Sequence, residues 1–234
     1  MTAQRDPELG ALLAEQIAYY RALAPEYEEH ALEEVGRSAQ ELIAALHEFR
    51  PEGDVLELAC GPGTWTAHLA RHATSLTCVD ASPEMLRIAR RRLGGVRASF
   101  ERADIFGWRP TRRYDVVFFG FWLSHVPPAR FDAFWALVGK CLKPDGRVFF
   151  IDDGYRTADE LAGGESSVAI RRRLSDGSAY RIVKVPLEPA ELERRLRALG
   201  WTIDVRTTTA PGPFFWGAGS SDALSAAPYR EPRC

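Results

Sequence analysis

The chain has 234 residues, with 30 Lys and Arg against 32 Asp and Glu and a formal charge of −2. Its 46% hydrophobic and 26% charged residues exclude disorder as the main state and suit one globular domain carrying a small cap. A balance this close to neutral gives no field strong enough to argue for polyanion binding, so no nucleic-acid partner is expected, with local patches left open.

Cys60, Cys78, Cys141 and Cys234 form no C-x-x-C pair and no metal-ligand spacing. Free buried thiols in a reducing cytoplasm are expected, and no metal site. The opening MTAQRDPELG lacks the regions of a secretion signal, and no run approaches the ~18 apolar residues of a membrane span. The expected setting is cytoplasmic, as monomer or homodimer.

Residues 11–27 read as a first helical stretch, interrupted at Pro25. A second covers 32–49, where Leu32, Val35, Ala39, Leu42, Leu46 and Phe49 recur at alternating spacings of three and four and so share one face. Pro51 ends it. The stripe is short for a coiled coil and is expected to pack on the body of the domain, making residues 1–50 a helical cap.

Beyond Pro51 short apolar runs alternate with helical patterns, the signature of a βαβ series with a mainly parallel sheet. Strands are predicted at 54–59, 76–80, 98–103, 114–120 and 147–152, with helices at 64–72, 83–93 and 130–142. Ser82-Pro83 supplies an N-cap and a first-turn proline, and Lys143-Pro144-Asp145-Gly146 reads as a turn into the fifth strand. Residues 51–153 are the expected core. Segment 154–187 reads as an inserted hairpin, with strands 167–174 and 179–185 around Ser175-Asp176-Gly177-Ser178. Leu192, Leu196 and Leu199 mark a helix that Gly200 stops, and strands at 201–207 and 214–217 complete the core within residues 188–218. Residues 219–234 form a tail, expected to be poorly ordered from Ser220 on.

Chemistry concentrates at the predicted strand ends. The first strand runs into Glu57-Leu58-Ala59-Cys60-Gly61-Pro62-Gly63, where glycines let the backbone approach a ligand and the next helix presents free N–H groups. Asp80 ends the second strand, where a carboxylate accepts from both hydroxyls of a ribose. Asp104 follows the third, placed to accept from an exocyclic adenine amine while the N–H of Ile105 serves a ring nitrogen. Each acid alone also fits a helix cap or a solvated loop; three strand ends in order point to one nucleoside.

With these residues the sequence resembles the class I S-adenosylmethionine-dependent methyltransferases of small-molecule type, from about Ala24 to Gly217. Val55 to Gly63 resembles the family's first motif, Val79-Asp80-Ala81-Ser82-Pro83-Glu84-Met85 its second-strand segment, and Leu142 to Arg147 its turn into strand five. Ala59 stands where the family usually has its first glycine, and an ordinary backbone is expected there. The resemblance implies a Rossmann-like α/β fold: a seven-stranded, mostly parallel sheet with an antiparallel last strand, helices on both faces, a helical cap and an inserted hairpin.

It also implies S-adenosylmethionine as methyl donor. Asp80 and Ala81 would hold its ribose, Asp104 and Ile105 its adenine, with Met85 on the adenine face. Ala59, Cys60, Gly61 and Gly63 would admit the methionine part, and Glu57 would support its ammonium directly or through water. Phe119, Gly120 and Phe121 at the end of strand four would border the donor, while Tyr20 or Tyr27 either close the methionine end or pack helices together. For the acceptor, Trp122, Tyr155 and Arg172 are candidate contacts. The apolar Gly120-Phe121-Trp122 lacks the polar motif of base-methylating enzymes and suits a small organic body, such as a secondary metabolite.

His125 is the one histidine near this site, read as a general base or, with more weight, as a structural or donor-contacting residue. His30, His47, His68 and His72 are expected to lack partners and role. Asp152 and Asp153 are expected as solvated turn acids rather than metal ligands, and Arg171, Arg172, Arg173, Arg181 and Lys184 of the hairpin as a solvated cationic face. Two rival readings remain open. A nicotinamide-dependent oxidoreductase shares the loop and the acid but expects a glycine where Thr66 stands, and a non-catalytic S-adenosylmethionine-binding module is the other.

Overall fold

Strand residues buried on both faces build the centre of the computed structural model, which describes residues 7–30, 36–95, 97–154, 156–161, 167–210 and 212–221. The strands are β1 (Gly53–Leu58), β2 (Ala73–Asp80), β3 (Ala98–Arg102), β4 (Tyr114–Gly120), β5 (Leu142–Asp153), β6 (Ala169–Arg173), β7 (Ala179–Val183), β8 (Trp201–Thr207) and β9 (Phe214–Ser221). Seven form one sheet in the order β3-β2-β1-β4-β5-β9-β8, and β6 pairs with β7 as a separate hairpin. β1 to β5 run parallel, and β9 alone is reversed, antiparallel to both neighbours.

The alternation along β4 and β5 explains the two covered faces. Val116, Phe118, Phe149 and Ile151 point to α2 (Gly36–Phe49), α3 (Thr66–Leu69) and α4 (Pro83–Arg92). Val117, Phe119, Val148 and Phe150 point to α5 (Phe131–Cys141) and α6 (Pro189–Ala198). Because side chains alternate faces and both faces are covered, such strands read as unbroken apolar runs. Ser82 caps α4, accepting from Met85 N at 3.1 Å, so the Ser-Pro signal marks a real helix start.

Several boundaries differ from expectation for physical reasons. α1 (Pro7–His30) passes through Pro25 without interruption. Proline there forfeits one helical hydrogen bond, while Ala24, 2% exposed, stays packed with Met85 and Ile88. α3 is one turn rather than the predicted 64–72, because β2 already starts at Ala73. The Lys143-Pro144-Asp145-Gly146 turn lies inside β5. Tyr114 pairs with Leu142 and Val116 with Arg147, so the four residues bulge from the ladder, anchored by Lys143 Nζ at 3.0 Å from Asp54 and 2.8 Å from Asp115.

α2 is described from Gly36, so Leu32 and Val35 of the predicted stripe lie outside the described residues; Leu42 and Leu46 are fully buried on the sheet. Gly219, Ser220 and Ser221, expected in the tail, belong to β9, where Ser220 pairs with Arg147 and Thr202 on either side. The remaining tail lies outside the described residues. Among the described residues no helix is long and apolar enough to cross a membrane.

Candidate active site

The carboxyl ends of β3, β2, β1 and β4 open into a cleft that α1 covers. This is where open α/β sheets bind ligands, at the switch in strand order between β1 and β4.

β1 leaves the sheet through a left-handed turn. Ala59 has φ 52°, Gly61 52° and Gly63 81°. The ordinary backbone expected at Ala59 is therefore wrong: the chain must reverse there, and alanine bears a strain of about 1–2 kcal/mol. Cys60 N donates to Val79 O at 3.1 Å and Gly61 N to Asp80 Oδ2 at 2.8 Å, which holds the turn shut. A Cβ on Gly61 would meet nothing within 4 Å, whereas one on Gly63 would touch Ala89 and Leu93 at 3.1 Å. Gly61 thus faces the cleft, and Gly63 serves the close approach of α4 instead of lining it.

Asp80 is aimed by backbone. Its Oδ1 accepts from Ser82 N and its Oδ2 from Gly61 N, both at 2.8 Å. Burial raises its pKa, against these backbone donors. A carboxylate offers about four lone-pair positions, so two remain for a pair of vicinal hydroxyls. Asp104, Ile105, Ala81 and Met85 line the same end, and Asp104 Oδ1 accepts from Phe106 N at 3.0 Å, which fixes its loop. These residues fit an adenosine.

At the other end lie Glu57, Cys60, Trp65 and Tyr27, with Gly120 and Phe121 from the end of β4. Gly120 is bare because a Cβ would come within 3.0 Å of the Trp65 ring. Glu57 is 1% exposed, and its Oε2 accepts from Thr66 Oγ1 at 2.5 Å and Cys78 Sγ at 3.5 Å. Burial pushes its carboxyl up to about 8. Phe119 does not reach the cleft. It stacks on Phe150 in the core, because its parity along β4 turns it to the α5 face.

The third side of the cleft is the cap helix and His125. Tyr20 Oη lies 2.8 Å from His125 Nε2, and His125 Nδ1 lies 2.5 Å from Val183 O. A carbonyl only accepts, so Nδ1 carries the proton and Nε2 accepts from the tyrosine hydroxyl. Both ring nitrogens are used. Burial, then the charges of Lys184 and Arg172, hold the imidazole well below its usual pKa, so it is neutral. Trp122 lines the cleft beside Phe106 with ring centroids 5.7 Å apart, and its Nε1 has no hydrogen-bond partner among the described residues.

The hairpin and β5 correct three expectations. Lys184 is 2% exposed, with Nζ 2.8 Å from Asp153, 3.8 Å from Asp152 and 3.0 Å from Ser124 Oγ. Asp152 is fully buried and accepts from Ser124 N at 2.9 Å. These are ion-paired core groups rather than solvated turn acids and a solvated cation, since β7 folds back over the end of β5. Arg172 pairs with Glu160 at 3.0 Å and acts on Tyr20 and His125 through its charge. It is absent from the cleft lining, and Tyr155 lies outside the described residues. His47 Nδ1 meets His72 Nε2 at 2.7 Å, with the His68 ring 5.6 Å from that of His47, so these histidines do have partners.

Leu13, Gln16 and Ile17 also line the cleft and were not singled out from the sequence. The signal was there: with Tyr20, Ala24 and Tyr27 they recur at helical spacing along one face of α1.

A doubly wound sheet with acids at successive strand ends beside a glycine turn defines a nucleoside-binding α/β enzyme scaffold. A methyltransferase-domain family matches residues 55–146. Trans-aconitate 2-methyltransferase of Sinorhizobium medicae (strain WSM419) is 31% identical over 176 residues, 72% of this chain and 65% of the relative. Ubiquinone biosynthesis O-methyltransferase of Xylella fastidiosa (strain 9a5c) is 29% identical over 157 residues, 62% of this chain and 59% of the relative. The chain spans less than two thirds of these curated relatives' own length. The solved DhpI-SAH complex is similar at 40% identity and TM-score 0.79, over 90% of this chain and 97% of that one. A DhpI-SAM-HEP complex matches at 41% identity and TM-score 0.79, over 88% and 96%. The chain belongs to the class I S-adenosylmethionine-dependent methyltransferases.

Proposed function

We propose that the protein methylates a small organic acid on an acid oxygen, with S-adenosylmethionine as donor. The observation that carries this reading is the closed hydrogen bonding of His125: Nδ1 is committed to Val183 and Nε2 to Tyr20. No basic nitrogen is left on His125 to strip a proton from a neutral alcohol, and an acceptor that arrives with an ionised oxygen needs none. The name of the trans-aconitate relatives points to the same chemical class.

Bound in the cleft, S-adenosylmethionine supplies a methyl group already activated on sulfonium sulfur. Asp80 and Asp104 orient the nucleoside end, and Tyr20, Trp122 and Phe121 form the wall toward the acceptor. Trp122 lines the cleft, and its Nε1–H, buried without a partner among the described residues, is the donor assigned to an oxyanion entering beside it. Leu13 and Ile17 of α1 exclude water from above. Alignment of this kind supplies up to ~7–11 kcal/mol without any base.

The test is turnover of donor to S-adenosylhomocysteine with matched panels of carboxylic acids, phosphate monoesters, alcohols and amines of similar size. Turnover confined to acids is the expected result. Efficient methylation of a neutral alcohol or amine, with acids inert, overturns the reading.

A further inference from the structure

Glu57 stands apart from the other acids of the site. Among the described residues its hydrogen-bond donors are the neutral Thr66 hydroxyl and Cys78 thiol, both on the same oxygen, and no cation pairs with it. The groups facing it from β2 and the glycine turn are Asp80, Cys78 and Cys60, of which Asp80 repels a second negative charge. Burying a lone carboxylate in this way is unfavourable unless it is neutralised by a proton or by a cation.

The residue nevertheless lines the end of the cleft bordered by Tyr27, Trp65 and Phe121. We propose that Glu57 carries a proton in the donor-free protein and surrenders it when the ammonium of the donor's methionine part arrives, so that donor binding releases one proton. This rests on the methyltransferase reading and adds to it a pH dependence built into the donor site. The shift of the carboxyl to about 8 agrees with a protonated resting form at neutral pH. An ammonium in contact restores the ordinary carboxylate range, as an opposite charge within ~4–6 Å does. Affinity then rises about tenfold per pH unit between about pH 6 and 7.5, where the free protein is protonated and the complex is not.

Calorimetric titration of the whole chain at about pH 6.5, where the donor's own ~7.7–8.0 amine is fully charged, separates the sources of the proton. S-adenosylhomocysteine is titrated in two buffers of different ionisation enthalpy, and 5′-methylthioadenosine, the same nucleoside without the amino-acid part, serves as control. Release of close to one proton with S-adenosylhomocysteine and none with methylthioadenosine is expected. In Glu57→Gln the release vanishes, and the affinity gap to wild type widens at least ~10-fold from pH 6 to pH 8. Binding with no proton exchange, or equal release with both nucleosides, overturns the proposal even if the variant fails to fold. Absence of binding by either nucleoside overturns the methyltransferase reading and this inference with it.

Discussion

Asp80 is positioned before any ligand arrives, because the N–H groups of Gly61 and Ser82 fix its two oxygens at 2.8 Å. On the proposed role its removal acts twice, by deleting the acceptors assigned to the ribose and by loosening the glycine turn. Charged hydrogen bonds contribute about 1.5–3 kcal/mol each, so Asp80→Ala is expected to weaken S-adenosylhomocysteine by about 10²–10⁴-fold in calorimetry. An affinity within threefold of wild type would show that the nucleoside lies elsewhere. At the same scale Ala59 marks the edge of what a motif shows. The missing glycine is visible in the sequence, but φ 52° at an alanine is a demand of the chain's path, set by where β1 ends against β2 and β4.

The cap helix α1 is the element that completes the site, and side-chain bonds hold it. Gln16, 3% exposed, accepts from Val183 N at 2.9 Å and so closes the edge of β7, while Glu15 takes Arg181 N and Nε. On its other side Arg21 forms two bonds to Glu84 of α4, at 3.0 and 3.1 Å. The exposed Arg21–Glu84 pair adds little stability by itself, since solvent screens it. Gln16 is different: Gln16→Ala strands a buried N–H and is expected to cost ~1–3 kcal/mol. Hydrogen exchange should report it first, as faster exchange at Val183 with β1 and β4 unchanged. Equal protection at Val183 would mean that the hairpin is held by Tyr19, Ile170 and Ile182 alone.

For the molecule as a whole, two sets of buried groups pull stability in opposite directions with pH. His47, His68 and His125 are held below the ordinary imidazole value, chiefly by burial. The unfolded chain takes up protons below about pH 6.5 that the folded one refuses, so these groups remove stability as pH falls. Glu57 works the other way. With its folded value raised to about 8 it removes stability as pH rises from about 4.5 to 8. The unfolding temperature of the donor-free protein is therefore expected to fall between about pH 6.5 and 8, where no histidine opposes Glu57. Glu57→Gln should unmask the histidines, unfolding at higher temperature than wild type at pH 8, by ~3–5 kcal/mol of stability, with the difference gone by about pH 5. A variant less stable than wild type at pH 8 would contradict this.

The sequence by itself determined the βαβ order, the strands of the parallel core and the acids that line the cleft, because these are local: apolar runs of strand length, Ser-Pro at a helix start, acids just beyond strands. It placed Asp80, Asp104 and Gly61 at the cleft with no fold in hand. Tertiary structure alone decided what touches them. Phe119 points away because the parity of β4 is fixed by helices far along the chain. Lys184 and Asp152 are buried because the hairpin folds back over β5, and His125 has its ring nitrogens taken by Tyr20 and Val183, at sequence separations of 105 and 58. Charge type and strand end are written residue by residue, whereas burial and hydrogen-bond partners depend on which distant segments share the same space.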